Sequence, residues 1–122
     1  MMRLISLAAL AAALSATPHA YADDEREAEI ELIVATAGEV LAVNDLCEWD
    51  LLPKIEAAFV AGAKKLKLPQ REQQSIRARV NQIRTGKFGN LSAGGRARTI
   101  SELCTRQERL FLDKLIAEIS FD

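Results

Sequence analysis

Cys47 and Cys104 are the only thiols in the sequence. A dithiol built for redox work wants both sulfurs within one helical turn, as in C-x-x-C. These two lie 57 positions apart. In a chain bound for an oxidising compartment, an even cysteine count predicts a structural disulfide instead. His19 is the single histidine, and it falls in an amino-terminal stretch with the marks of a removable signal. Without an imidazole, serine or cysteine nucleophiles have no histidine base, and zinc sites built on His or free Cys are excluded. A carboxylate pair alone can hydrolyse glycosides. Glu102, Glu108 and Glu118, however, recur at the spacing of a solvated helix face. Asp23, Asp24, Glu25 and Glu27 lack the D-x-D-x-D-G loop of a calcium site. The expectation is a protein without a metal, a cofactor or catalysis of its own, with a carboxylate-dependent hydrolase as the outlying alternative.

The signal reading rests on Arg3, the apolar run Leu4–Leu14, Pro18 and the small residues of Ala20-Tyr21-Ala22. Eleven apolar residues reach roughly 16 Å as a helix, about half of a ~30 Å hydrocarbon core. Residues 1–22 are therefore expected to be a cleaved signal peptide and residues 23–122 a helical domain, periplasmic or secreted and not stably inserted in a membrane.

Four helices are expected in that domain. Ile30, Ile33, Val34, Ala37, Val40 and Leu41 make one face of a helix over 23–46, with Asp23, Asp24, Glu25 and Glu27 at the positive end of its dipole. Asn44 and Asp45 mark a place where it bends or stops. Pro53, with Asp50 or Leu52 before it, opens a second helix carrying Ile55, Phe59, Gly62, Ala63 and Leu66. Pro69 opens a third, whose thin stripe of Ile76, Val80 and Ile83 puts it on the outside. Gly86 to Gly95 has loop composition, with Phe88 and Leu91 placed to tuck inward. A single last helix from about Arg96 or Arg98 to Ile119 is expected to face inward through Ile100, Leu103, Cys104, Gln107, Leu110, Phe111, Leu115 and Ile119. The fold class is thus all-α, a small four-helix bundle-like domain closed by Cys47–Cys104. Trp49, two residues after Cys47, is expected to cover the disulfide or, if exposed, to anchor a partner. The position of Cys47 near a helix end and its distance from Cys104 resemble in outline the small periplasmic acid-stress chaperones. That architectural likeness implies an exported, helical, disulfide-closed fold.

Charge is distributed unevenly. Between Asp23 and Asp50, ten acids face one base, Arg26, for a net of −9; between Lys64 and Arg98, ten bases face one acid, Glu72, for +9. In one reading the acidic first helix packs beside the basic third, within the monomer or in a homodimer. In the other, Arg71, Arg77, Arg79, Arg84 and Lys87 face outward toward an anionic partner, another envelope protein or an anionic envelope component. Nucleic acid is a poor candidate, because only Phe88 interrupts the basic run as a stacking residue. The expected function is an exported binding protein, of inhibitor or immunity type, acting through charged helical faces. A periplasmic acid-stress chaperone is the alternative.

Overall fold

The computed structural model describes the backbone of residues 2–121 and the side chains of residues 24–121. The chain is all-α, with five helices and no strand among the described residues: α1 Met2–Cys47, α2 Leu52–Lys65, α3 Gln70–Gly86, α4 Ala93–Leu103 and α5 Arg106–Ser120. It divides into two units, Met1–Ile30, in which the described residues are helical, and Glu31–Asp122, which holds the end of α1 and all of α2 to α5. The expected signal segment, residues 1–22, lies outside the residues whose side chains are described. α1 begins at Met2, so the acids from Asp23 to Glu27 stand inside a helix rather than at its first turn.

The core of the second unit is built on the predicted apolar stripes. Ile33, Val34, Ala37, Val40 and Leu41 of α1 are buried, as are Ile55, Ala58, Phe59 and Ala63 of α2. From α3 only Ile76 and Val80 are buried, so this helix lies on the outside, as its thin stripe predicts. Glycines let two helix pairs approach closely. A Cβ on Gly62 of α2 would collide with the Ile119 carbonyl oxygen of α5, and one on Gly38 of α1 would stand 2.6 Å from Ile83 of α3.

Several helix ends use a left-handed residue that is not glycine. Glu48 (φ 52°) closes α1, and the Trp49 N–H then donates to the Asn44 carbonyl at 3.1 Å. Lys67 (φ 54°) closes α2, and the Leu68 N–H donates to the Ala63 carbonyl at 3.0 Å while the Leu68 side chain is buried. Both are Schellman-type stops, in which the turn satisfies a carbonyl the helix leaves open. Asn44 does more than mark this end. Buried at the last turn of α1, it also accepts the Leu51 N–H on its side-chain oxygen at 3.1 Å, which ties α1 to the start of α2.

Where one last helix is expected, the structure has two, and the register changes at the break. Thr105 caps α5, its hydroxyl accepting the Glu108 N–H at 3.1 Å, and Ser92 caps α4 in the same way with Gly95. Restarting the helix at Arg106 turns Leu112, Ile116 and Ile119 inward. The expected inner face is therefore wrong for Leu110 and Phe111, which are 55% and 49% exposed, and for Gln107, which is exposed; on α4 it is wrong for Ile100, which is exposed too. At about 100° per residue, Leu110 sits some 200° around the helix from Leu112. Gly94 and Gly95, expected in the loop, form the first turn of α4. Leu91 is 39% exposed, and Phe88 alone of that pair is partly covered.

Candidate functional site

The disulfide forms between Cys47, the last residue of α1, and Cys104, which follows α4, with their Cα atoms 5.4 Å apart. It therefore joins the α1–α2 junction to the α4–α5 junction. Trp49 lies beside this end, half-buried, with the Arg109 guanidinium 5.9 Å from its ring centre and bonded to Asp50 at 2.8 Å. An indole held under a cation in this way is only partly free to anchor a partner.

The basic residues of α3 and the acids of α1 meet across a common seam. Arg84 grips Asp45 through two parallel bonds, Nε to Oδ2 at 2.6 Å and NH2 to Oδ1 at 2.9 Å. Arg79 pairs with Glu31 at 2.5 Å, and Lys87, just past α3, with Glu39 at 3.1 Å. Arg77 turns to α2, where it bonds both Glu56 oxygens at 3.0 Å and lies 4.2 Å over the Phe59 ring. Of the five candidate cations, Arg71 alone makes no ion pair among the described residues, and it is exposed. The structure thus joins Arg77, Arg79, Arg84 and Lys87 to carboxylates of the same chain, in the manner of the first charge reading.

These pairs are half-exposed at best, and each contributes only about 0–1 kcal/mol. The Arg84 fork is the best made, and the Asp45 hydrogen bond raises its guanidinium above the ordinary arginine range against a smaller opposing effect of burial. A base whose folded pKa is raised stabilises the fold below its unfolded pKa and loses that contribution only as pH climbs through the folded one. For arginine that window lies far into alkali, so Arg84 itself stays charged at every pH the protein meets.

Large apolar side chains are exposed on α1 and α2 (Leu32, Leu52 and Val60) and also on the last two helices. None of the eleven residues of α4 is buried; Gly95, Thr99 and Leu103 are half-covered, and Ile100 is 36% exposed. On α5, Leu110 and Phe111 are exposed as well, and Arg96, Arg98 and Arg106 are exposed on α4 and at the start of α5. Sequence periodicity alone hides this exposure, because it assigns Leu110 and Phe111 to the core. The signal that finds it is Thr105-Arg106-Gln107-Glu108, a T-x-x-E capping sequence that announces a fresh helix start.

Among the described residues, no three of His, Cys, Asp and Glu stand together as a metal site. No helix among them is long and apolar enough to cross a membrane. Compared with known protein families, characterised proteins and solved structures, the chain matches none.

Proposed function

We propose that this chain is an exported binding protein, without catalysis of its own, that engages another envelope protein through α4 and the outer face of α5. The observation that carries the reading is an eleven-residue helix with no buried residue. A peptide that short is marginal as a helix in water, because nucleation costs more than a few turns return. Here it is held by its Ser92 cap and by the disulfide one residue past its end. A helix kept in place covalently with Ile100 outward, beside an α5 whose Leu110 and Phe111 are also exposed, gains most of its missing burial from a partner. Arg96, Arg98 and Arg106 favour an acidic rim on that partner. The disulfide and the sequence of residues 1–22 support export, and a compact chain of this kind suits an inhibitor or immunity-type protein.

The test is capture from an envelope extract on the immobilised protein, with I100E and F111E as paired controls. A single species held by the parent chain and lost from both variants is expected. Purified and added back, it slows amide exchange across residues 93–103. Equal recovery on the variants, or unchanged exchange in α4, overturns this surface.

The α1–α3 seam supports a second reading, an acid-stress chaperone. Its cations are held by carboxylates, and acid that neutralises carboxylates removes the pairs. At about 0–1 kcal/mol each, these pairs are small beside the packing beneath them, so the seam needs a further push to open. Mass by light scattering and client aggregation at pH 7 and pH 3 decide the matter. An unchanged mass with no client protection removes the chaperone reading and leaves the first intact.

A further inference from the structure

We propose that the cleft between α1, α2 and α3 is a binding site for a small organic monoanion with an apolar body about the size of one ring. It is separate from the α4–α5 surface and independent of the role assigned there. Ala37 and Leu41 of α1, Ile55 and Phe59 of α2 and Val80 of α3 form its floor, and Glu56, Arg77, Asn81 and Arg84 form its rim. The cavity holds about 200 Å³. Sites for drug-sized ligands run to roughly 300–1,000 Å³, whereas an apolar cavity of about 150 Å³ takes benzene. The volume therefore admits a single ring or a short branched chain with one small head group.

The rim chooses that head group. Each guanidinium is already paired with a carboxylate, Arg77 with Glu56 and Arg84 with Asp45, so the charges at the rim balance and the choice of head group falls to its hydrogen-bond donors. The rim has donors to spare. Arg77 spends NH1 on Glu56, and Arg84 spends Nε and NH2 on Asp45. Arginine has five N–H donors. The Arg77 Nε and NH2, the Arg84 NH1 and the Asn81 side-chain amide make no hydrogen bond among the described residues. Unspent donors above an apolar floor match a carboxylate on a ring: the ring lies in the cleft against its apolar walls, and the carboxylate takes charge-assisted bonds at the rim. The Arg77–Phe59 stack at 4.2 Å fixes one guanidinium in place before any ligand arrives, which lowers the ordering cost of binding.

Three probes of one shape and different charge test the site on the full chain labelled with ¹⁵N: benzoate, benzyl alcohol and benzylammonium. Saturable amide shifts confined to the neighbourhood of Leu41, Phe59, Val80 and Asn81 are expected with benzoate. Binding should be about tenfold weaker for benzyl alcohol and absent for benzylammonium. Arg77→Met keeps an apolar stem over Phe59 while removing the charge, and it should cost benzoate about tenfold and leave benzyl alcohol unchanged. Lys114→Met, on the exposed side of α5, should change neither. If circular dichroism shows Arg77→Met unfolded, Asn81→Ala at an exposed position carries the same comparison. Equal affinity for the three probes, shifts scattered outside the cleft, or no saturation by 10 mM benzoate, on the order of the weakest affinity a built site would show, overturns the proposal.

Discussion

The α1–α3 and α2–α5 pairs hold this fold together by different means. Both depend on a glycine that lets the helices close up: Gly38 against Ile83 in one, Gly62 against Ile119 in the other. Around Gly38 the surroundings are ionic, with Arg79–Glu31, Arg84–Asp45 and Lys87–Glu39 along the seam. Around Gly62 they are mostly apolar, with Ala58 and Ala63 on α2 and Leu112, Ile116 and Ile119 on α5, and with the exposed ion pair Lys54–Asp113. Ion pairs at a surface are screened by salt and individually weak, so they select a register more than they stabilise it. Close packing has the opposite character, insensitive to salt and intolerant of added atoms. The positive segment looks in the sequence like a surface awaiting a partner, yet much of its charge already serves this internal selection.

The disulfide spans both pairs, since it ties the end of α1 to the turn that leads into α5. Removing it with C47A/C104A is the largest change expected, about 4 kcal/mol for a loop of this length in the chain-entropy account, read as a fall in the urea midpoint. Helicity that melts at an unchanged midpoint would mean the two seams suffice without it.

Next comes Gly62→Ala. Its methyl meets a backbone carbonyl that cannot rotate away, so a net loss of about 1–3 kcal/mol is expected despite the roughly 1 kcal/mol that alanine gains in helix propensity. Gly38→Ala meets an isoleucine side chain on an outer helix and should cost less. Gly86→Ala, with nothing within 4 Å, should stabilise by up to about 1 kcal/mol. Thermal unfolding of the three variants ranks them, and a Gly38→Ala loss larger than that of Gly62→Ala reverses the assignment of which seam is the tighter.

Neutralising the ionic seam with R79Q, R84Q and K87Q should cost at most about 1 kcal/mol per pair, and most of that loss should vanish in 1 M salt. A loss that persists unchanged in high salt would show that these side chains act by packing rather than by charge. The smallest effect belongs to Lys67→Gly, which relieves a left-handed backbone at the end of α2 and should raise stability by up to about 1 kcal/mol.

Legibility in the sequence follows the range of the interaction. The stripes of α1, α2 and α3 are short-range patterns, and the structure buries most of each, leaving Ile30, Leu66 and Ile83 only partly covered. The end of α1 was legible only as a weak spot at Asn44 and Asp45. That Asn44 is a buried hub became visible once Leu51 and Trp49 folded back onto it. Periodicity misreads the last helix because the apolar pattern runs on through Thr105. An apolar pattern can be fitted to Leu110 and Phe111 if the helix is continuous, and the T-x-x-E cap that denies this occupies only four residues. The candidate cations were legible by type and clustering, but their partners were not. Glu31, Glu39 and Asp45 lie 39 to 48 positions from the bases they meet.

Taken alone, the amino-acid order determines that this is an all-helical chain, where most of its helices run, and that two distant cysteines close it, because helix period and thiol count are local or compositional properties. Tertiary structure decides which face of α5 is inward, that α4 stays uncovered, and which carboxylate takes each cation. Those outcomes depend on how whole helices register against one another, and a glycine that admits a backbone at close range sets that register only once the facing helix is in place.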